Sequence, residues 1–128
     1  MKRIVTVAAL AALLFSACGT GPARISEDLS PQELVQRAQE ATDRGRYRQA
    51  MQFYQALLER HSYDPTWLAT AQYEIAFINY RQGNLQEARA GLNALLEQYD
   101  APGSQAMPEK FRVLARVVLG SMDERENR

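Results

Sequence analysis

The sequence predicts an all-α domain, a short α-solenoid of two helix pairs closed by a C-terminal capping helix. Three observations predict it. Apolar residues recur at helical spacing in five successive windows, and period-two alternation appears nowhere. Four of those windows open on a capping residue, a proline or both, at Ser30-Pro31, Asp64-Pro65, Asn84 and Pro108. The third observation is an internal self-match, in which the stretch around Gly45 returns around Gly83. A length of 128 residues allows one domain, and 15 basic against 15 acidic side chains leaves no basic stripe for nucleic acid. One cysteine and one histidine exclude a disulfide framework and the common zinc sets.

The first helix is expected to begin at Ser30, with Pro31 at its first position and Glu33 completing a capping box. Leu34, Ala38 and Ala41 continue it to Arg44, and Gly45 stops it. The second, from about Tyr47 to His61, carries Ala50, Phe53, Tyr54, Leu57 and Leu58 on one face. Asp64-Pro65 opens a third that runs to about Gln82. Asn84 with Glu87 is expected to cap a fourth, whose face is Ala88, Leu92, Leu95, Leu96 and Tyr99. After the break at Pro102-Gly103-Ser104, the fifth starts near Pro108 and is expected to pack Phe111, Leu114, Ala115 and Val118. The helical domain thus spans 30–122, and the charged tail 123–128 is expected to fray.

Residues 1–17 read as an export signal. Met1-Lys2-Arg3 is a charged start, and Ile4 to Phe15 is an uncharged, mainly apolar run too short to cross a bilayer. It ends in Phe15-Ser16-Ala17-Cys18, which resembles a bacterial lipobox, the motif whose cysteine is acylated and becomes the first residue after cleavage. Two other readings stand beside this one: a cut after Ala23 by ordinary signal peptidase, and Cys18 as a small apolar residue of the hydrophobic run. Removal of 1–17 takes Lys2 and Arg3 from the basic side chains and nothing from the acidic ones, so the mature chain is slightly acidic. Residues 18–29 then form a lipidated flexible tether of Gly, Pro and charge. By resemblance to bacterial lipoproteins, Gly19 after the cysteine, where Asp would retain the protein at the inner membrane, implies the outer membrane.

The repeat has a packing logic. Gly45-x-Tyr47-x-x-Ala50 returns as Gly83-x-Leu85-x-x-Ala88, and Ala38 and Ala76 stand at the same distance before the two glycines. Alanines let two antiparallel helices approach, and each glycine allows the tight turn between them. With these positions in phase, residues 31–106 resemble the tetratricopeptide repeat (TPR) family, with 107–122 as a capping helix. Joined to a lipid anchor, the repeats are most similar to periplasm-facing outer-membrane lipoproteins of the BamD/YfiO type and of the cell-division coordinator (CpoB-like) type, though much shorter than the former.

The resemblance implies a concave groove lined by the first helix of each pair. Carried over, its positions are Gln32, Val35, Gln39 and Thr42, then Thr70, Tyr73, Phe77 and Tyr80. The last three aromatics either pack beneath the fifth helix or form an exposed partner-binding patch; the spacing allows both. Arg44, Arg46 and Arg48 read as a solvated turn neutralised by Glu40 and Asp43, His61 as a partner of its helix dipole, and Trp67 as a packing anchor. No nucleophile–base set, phosphate loop or carboxylate pair appears, so neither enzyme activity nor a cofactor or small-molecule substrate is expected. The expected function is a lipid-anchored periplasmic interaction module that binds an envelope or outer-membrane assembly protein. The alternative is a subunit that associates with itself.

Overall fold

A computed structural model describes residues 24–128. The expected export signal, Cys18 and the start of the expected tether lie outside the described residues. Five helices follow in order: α1 Pro31–Asp43, α2 Tyr47–His61, α3 Pro65–Gln82, α4 Leu85–Tyr99 and α5 Glu109–Glu126. A single 3₁₀ turn, Ser104–Ala106, precedes α5. α1 packs on α2, α2 on α3, α3 on α4, and α5 lies across α4 and α3. The all-α, TPR-like expectation holds, and all five helices begin within a residue of where the sequence places them.

The two expected hairpins are built alike down to their turns. At the end of α1 the Arg46 N–H donates to the Ala41 carbonyl at 2.8 Å, and at the end of α3 the Asn84 N–H donates to the Asn79 carbonyl at 2.9 Å. These bonds occupy the same place in the repeat, and both close a Schellman turn. Each turn needs a left-handed residue, supplied by Gly45 at φ +69° and Gly83 at φ +82°. Ala38, Ala50, Ala76 and Ala88 are all buried, so the small residues stand where helix meets helix.

Two apolar cores result. The first joins Leu34, Ala38 and Ala41 of α1 to Ala50, Tyr54 and Leu57 of α2 and to Ala71 and Ile78 of α3. Trp67 packs against it, as expected of an anchor. The second joins Ala69, Tyr73 and Ala76 of α3 to Leu92, Leu95 and Tyr99 of α4 and to Phe111, Ala115, Val118 and Met122 of α5. α3 therefore serves both cores, one on each side.

Four expectations are corrected. The capping box forms at Ser30 with Glu33, but Asn84 makes no side-chain cap with its helix; its amide donates to Asn79 Oδ1 at 3.3 Å instead. Ser30 has ψ 159° and Asp64 ψ 119°, whereas Asn84 has ψ 68°, because it is also the closing residue of the preceding turn. Leu114 is 40% exposed rather than packed, since α5 has neighbours on one side only. The tail does not fray at Asp123: α5 continues to Glu126, and Asp123 and Glu126 both accept from the Arg89 guanidinium of α4 at 2.8 and 3.0 Å. The tether is docked at its near end. Ile25 and Leu29 pack on the first core, and Arg60 donates to the carbonyls of Ser26 and Ile25 at 2.8 and 3.2 Å.

Candidate functional site

The alternation of helices decides which of the groove positions stay open. On α3, Thr70, Tyr73, Phe77 and Tyr80 fall within one narrow sector of the helix, and α5 covers part of it. The Tyr73 ring stacks on Phe77 at 5.7 Å and meets Phe111 of α5 at 5.5 Å. Phe77 stacks on Tyr80 at 6.1 Å, and the Arg125 guanidinium lies 5.3 Å from the Tyr80 ring centre. The two readings of the stripe are thereby divided. Tyr73 is only 6% exposed and belongs to the second core, while Phe77 and Tyr80 are half-buried, packed on that core with an open edge.

Thr70 is also withdrawn from any groove. It is buried, and its hydroxyl donates back to the Thr66 carbonyl at 2.7 Å, satisfying itself within its own helix. Thr42 makes the same bond to Ala38 at 2.9 Å but remains half-buried, and Gln39 is exposed. Thr70 and Tyr73 are therefore corrected as partner-binding residues. Gln39, Thr42, Phe77 and Tyr80 remain accessible.

Between the sector of the aromatics and the side of α3 that faces the first core stands Glu74, which the sequence reading passed over. Burial raises its carboxyl above the usual range, against the opposing pull of the Lys110 ammonium. The same carboxylate and burial act on the neighbouring phenols. Tyr73 is pushed up to about 12, chiefly by burial and then by Glu74, and burial raises Tyr54 further still. The signal that could have found Glu74 is positional: an acid in α3 between two apolar faces leaves the face only partly in water.

The remaining predicted features are structural. Glu40 lies 3.7 Å from Arg44, an exposed ion pair across one helical turn, as expected for a solvated basic loop. His61 ends α2, and its buried Nδ1 has no hydrogen-bond partner among the described residues. A groove of about 160 Å³ crosses α2, α3 and α4, lined by Leu58, Gln72, Ile75, Ala76, Gly91 and Ala94 among others. Among the described residues no cluster of three or more His, Cys, Asp or Glu is placed to hold a metal, and no helix is long and apolar enough to cross a membrane. The helices present half-open aromatics, amides and one partly buried carboxylate.

Residues 27–118 match the model of the YfiO family, described as outer membrane lipoprotein. A Treponema pallidum (strain Nichols) protein described as an uncharacterized protein is 31% identical over 114 residues. Those residues are 88% of this chain and 46% of that protein, so the chain spans about half the length of the curated relative it matches. No solved structure matches the chain.

Proposed function

The chain belongs to the YfiO family of outer membrane lipoproteins, and from that premise we propose that it is a lipid-anchored adaptor on the periplasmic face of the outer membrane. The observation that carries this reading is the union of two sequence features. A lipobox-like Phe15-Ser16-Ala17-Cys18 ends a short apolar run, and a helical array of an outer-membrane lipoprotein family begins a few residues later. The physical division of labour is plain. Acyl chains on Cys18 would supply the membrane affinity, about 0.8 kcal/mol per buried CH₂, because no described helix can supply it. The helices would supply a rigid surface for a protein of the envelope.

Within this reading the partner meets Gln39 and Thr42 on α1 and the open edges of Phe77 and Tyr80 on α3. Half-buried aromatics held by their neighbours lose little side-chain entropy on binding, which suits them to anchor a partner helix or peptide. The role is non-enzymatic.

The test is a Cys18→Ala chain followed by lipid labelling and membrane fractionation. The variant is expected to lose the label and leave the outer-membrane fraction while keeping its helical spectrum. A variant that still carries lipid and stays at the outer membrane defeats the anchor. Affinity purification of the parent from detergent-solubilised membranes, beside a Phe77→Ala/Tyr80→Ala chain, tests the surface: a partner retained equally by both places binding elsewhere.

A further inference from the structure

The segment before α1 is fixed to one particular end of the first hairpin. Ile25 and Leu29 pack on the first core, and the Arg60 guanidinium, next to last in α2, donates to the carbonyls of Ser26 and Ile25. From Ile25 onward the chain is thereby strapped to the C-terminal end of α2. Directly beyond that end, in the turn between α2 and α3, stands Tyr63. At 82% it is the most exposed large apolar residue among the described residues. Its ring meets the His61 ring at 6.1 Å, tilted by 55°. Trp67, four residues on in the first turn of α3, packs on the first core and is half-buried.

One exposed tyrosine needs no explanation by itself; its place does. As Gly45 returns at Gly83, so Tyr63 returns at Ala101, in the turn after α4. The turn therefore does not demand a large ring, and the ring stands in the turn beside the strap. Tyrosine and tryptophan join an apolar body to a polar tip and are enriched where a bilayer meets water. Chain length sets what this turn can reach. From Cys18 to Ile25 is seven residues, which span at most about 25 Å when fully extended. On the lipid-anchored reading, on which this inference rests, acyl chains at Cys18 keep the α2–α3 turn within that distance of the bilayer surface. So short a tether gives an effective concentration of the order of millimolar. A contact too weak to recruit a free domain is then occupied.

Charge does not drive the contact. Arg24 and Arg60 stand against Glu27, Asp28 and Asp64 at this end, and Arg60 is already engaged by the strap. The basic run Arg44, Arg46 and Arg48 lies at the other end of α2, whose 15 residues rise about 22 Å. A membrane drawn by charge would meet that far end. A membrane met through rings at the strapped end is held at its uncharged interface, and added salt should leave the contact unchanged.

We propose that the α2–α3 turn seats on the bilayer surface, with Tyr63 at headgroup level and the Arg60-held strap fixing which end of the array faces the membrane. Trp67 is the one tryptophan of the chain, so tryptophan fluorescence reports on this end without a label. The test reconstitutes the lipidated full chain in vesicles of phosphatidylcholine brominated near the headgroups. Trp67 is expected to lose fluorescence relative to unbrominated vesicles, and equally so at low and high salt. Tyr63→Asp should restore the fluorescence without moving the circular-dichroism melt, because the side chain stands in solvent in the folded chain. In Trp67→Phe/Gln82→Trp the reporter moves to the exposed far end of α3, and bromination should have no effect there. Flotation and lipid labelling of the same samples read the anchor separately. A parent that floats with its lipid but keeps full fluorescence overturns the seating and leaves the anchor standing. Quenching that survives Tyr63→Asp, or that is as strong from position 82, does the same. A chain that carries no lipid and does not float removes anchor and seating together.

Discussion

The first hairpin and the second share a turn, a spacing and a set of alanines, yet α1 buries residues on one side and α3 on two. α1 buries Leu34, Ala38 and Ala41. α3 buries Ala69, Thr70, Ala71, Tyr73, Ala76 and Ile78, which point in opposite directions around the helix. The cause lies outside either helix: α1 packs on α2, whereas α3 is held by α2, α4 and α5. A second contrast appears between equivalent positions of the repeat. Phe53 of α2 is half-buried against the first core, and its counterpart in α4 is Gly91, where an added Cβ would come within 3.0 Å of the Ala76 Cβ. The second hairpin is therefore the tighter crossing. Local code repeats; burial follows the number of neighbours.

The comparison can be broken most forcefully in the cores. Leu57 and Leu95 are equivalent positions and both are fully buried. Leu57→Ala and Leu95→Ala should each cost about 2–5 kcal/mol, measured by denaturant unfolding. Because α3 belongs to both cores, each variant should melt in one transition, and a second transition in either would show that the hairpins fold as separate units.

The crossings come next. Ala50→Leu and Ala88→Leu force larger side chains into fully buried alanine sites and should each cost about 1–3 kcal/mol. A larger loss at Ala88 would agree with the tighter second crossing, and no loss at either site would refute the repeat.

The smallest effect separates Glu74 from its first-hairpin counterpart, the exposed Gln36. Burial raises the Glu74 carboxyl above its ordinary range in the folded chain, so the folded state holds that proton more tightly than the unfolded state. Stability from this group is therefore greatest at low pH and falls as pH rises through the raised value. Glu74→Gln should melt higher than the parent at neutral pH, with the gap closing as the solution is made acidic, whereas Gln36→Glu should show no such gap. A Glu74→Gln chain that melts lower at neutral pH would mean that the Lys110 ammonium outweighs burial.

Much of this was legible residue by residue. Ser30-Pro31 with Glu33 and Asp64-Pro65 marked helix starts, because capping and a fixed proline φ act within one turn. Gly45 and Gly83 marked the hairpin turns, because only a left-handed residue closes them. The cap at Asn84 misled, since its backbone angle is set by the turn before it rather than by the helix after it. The candidate site was half legible. Spacing placed Thr70, Tyr73, Phe77 and Tyr80 in one sector, but spacing cannot say what lies above a sector. Thr70 and Tyr73 turn out to be buried, while the edges of Phe77 and Tyr80 stay open.

By itself, then, the sequence determined where helices start, turn and repeat. Those features act over a few residues, or over one hairpin in register, where the energies are local. The tertiary structure decided the rest. It divided the apolar residues into two cores sharing α3, drew Arg60 onto the tether and Arg89 onto the end of α5, raised the Glu74 carboxyl, and left Val113, Leu114 and Val117 in solvent. Each of these depends on which surfaces meet across the chain, and burial and desolvation exist only once they have met.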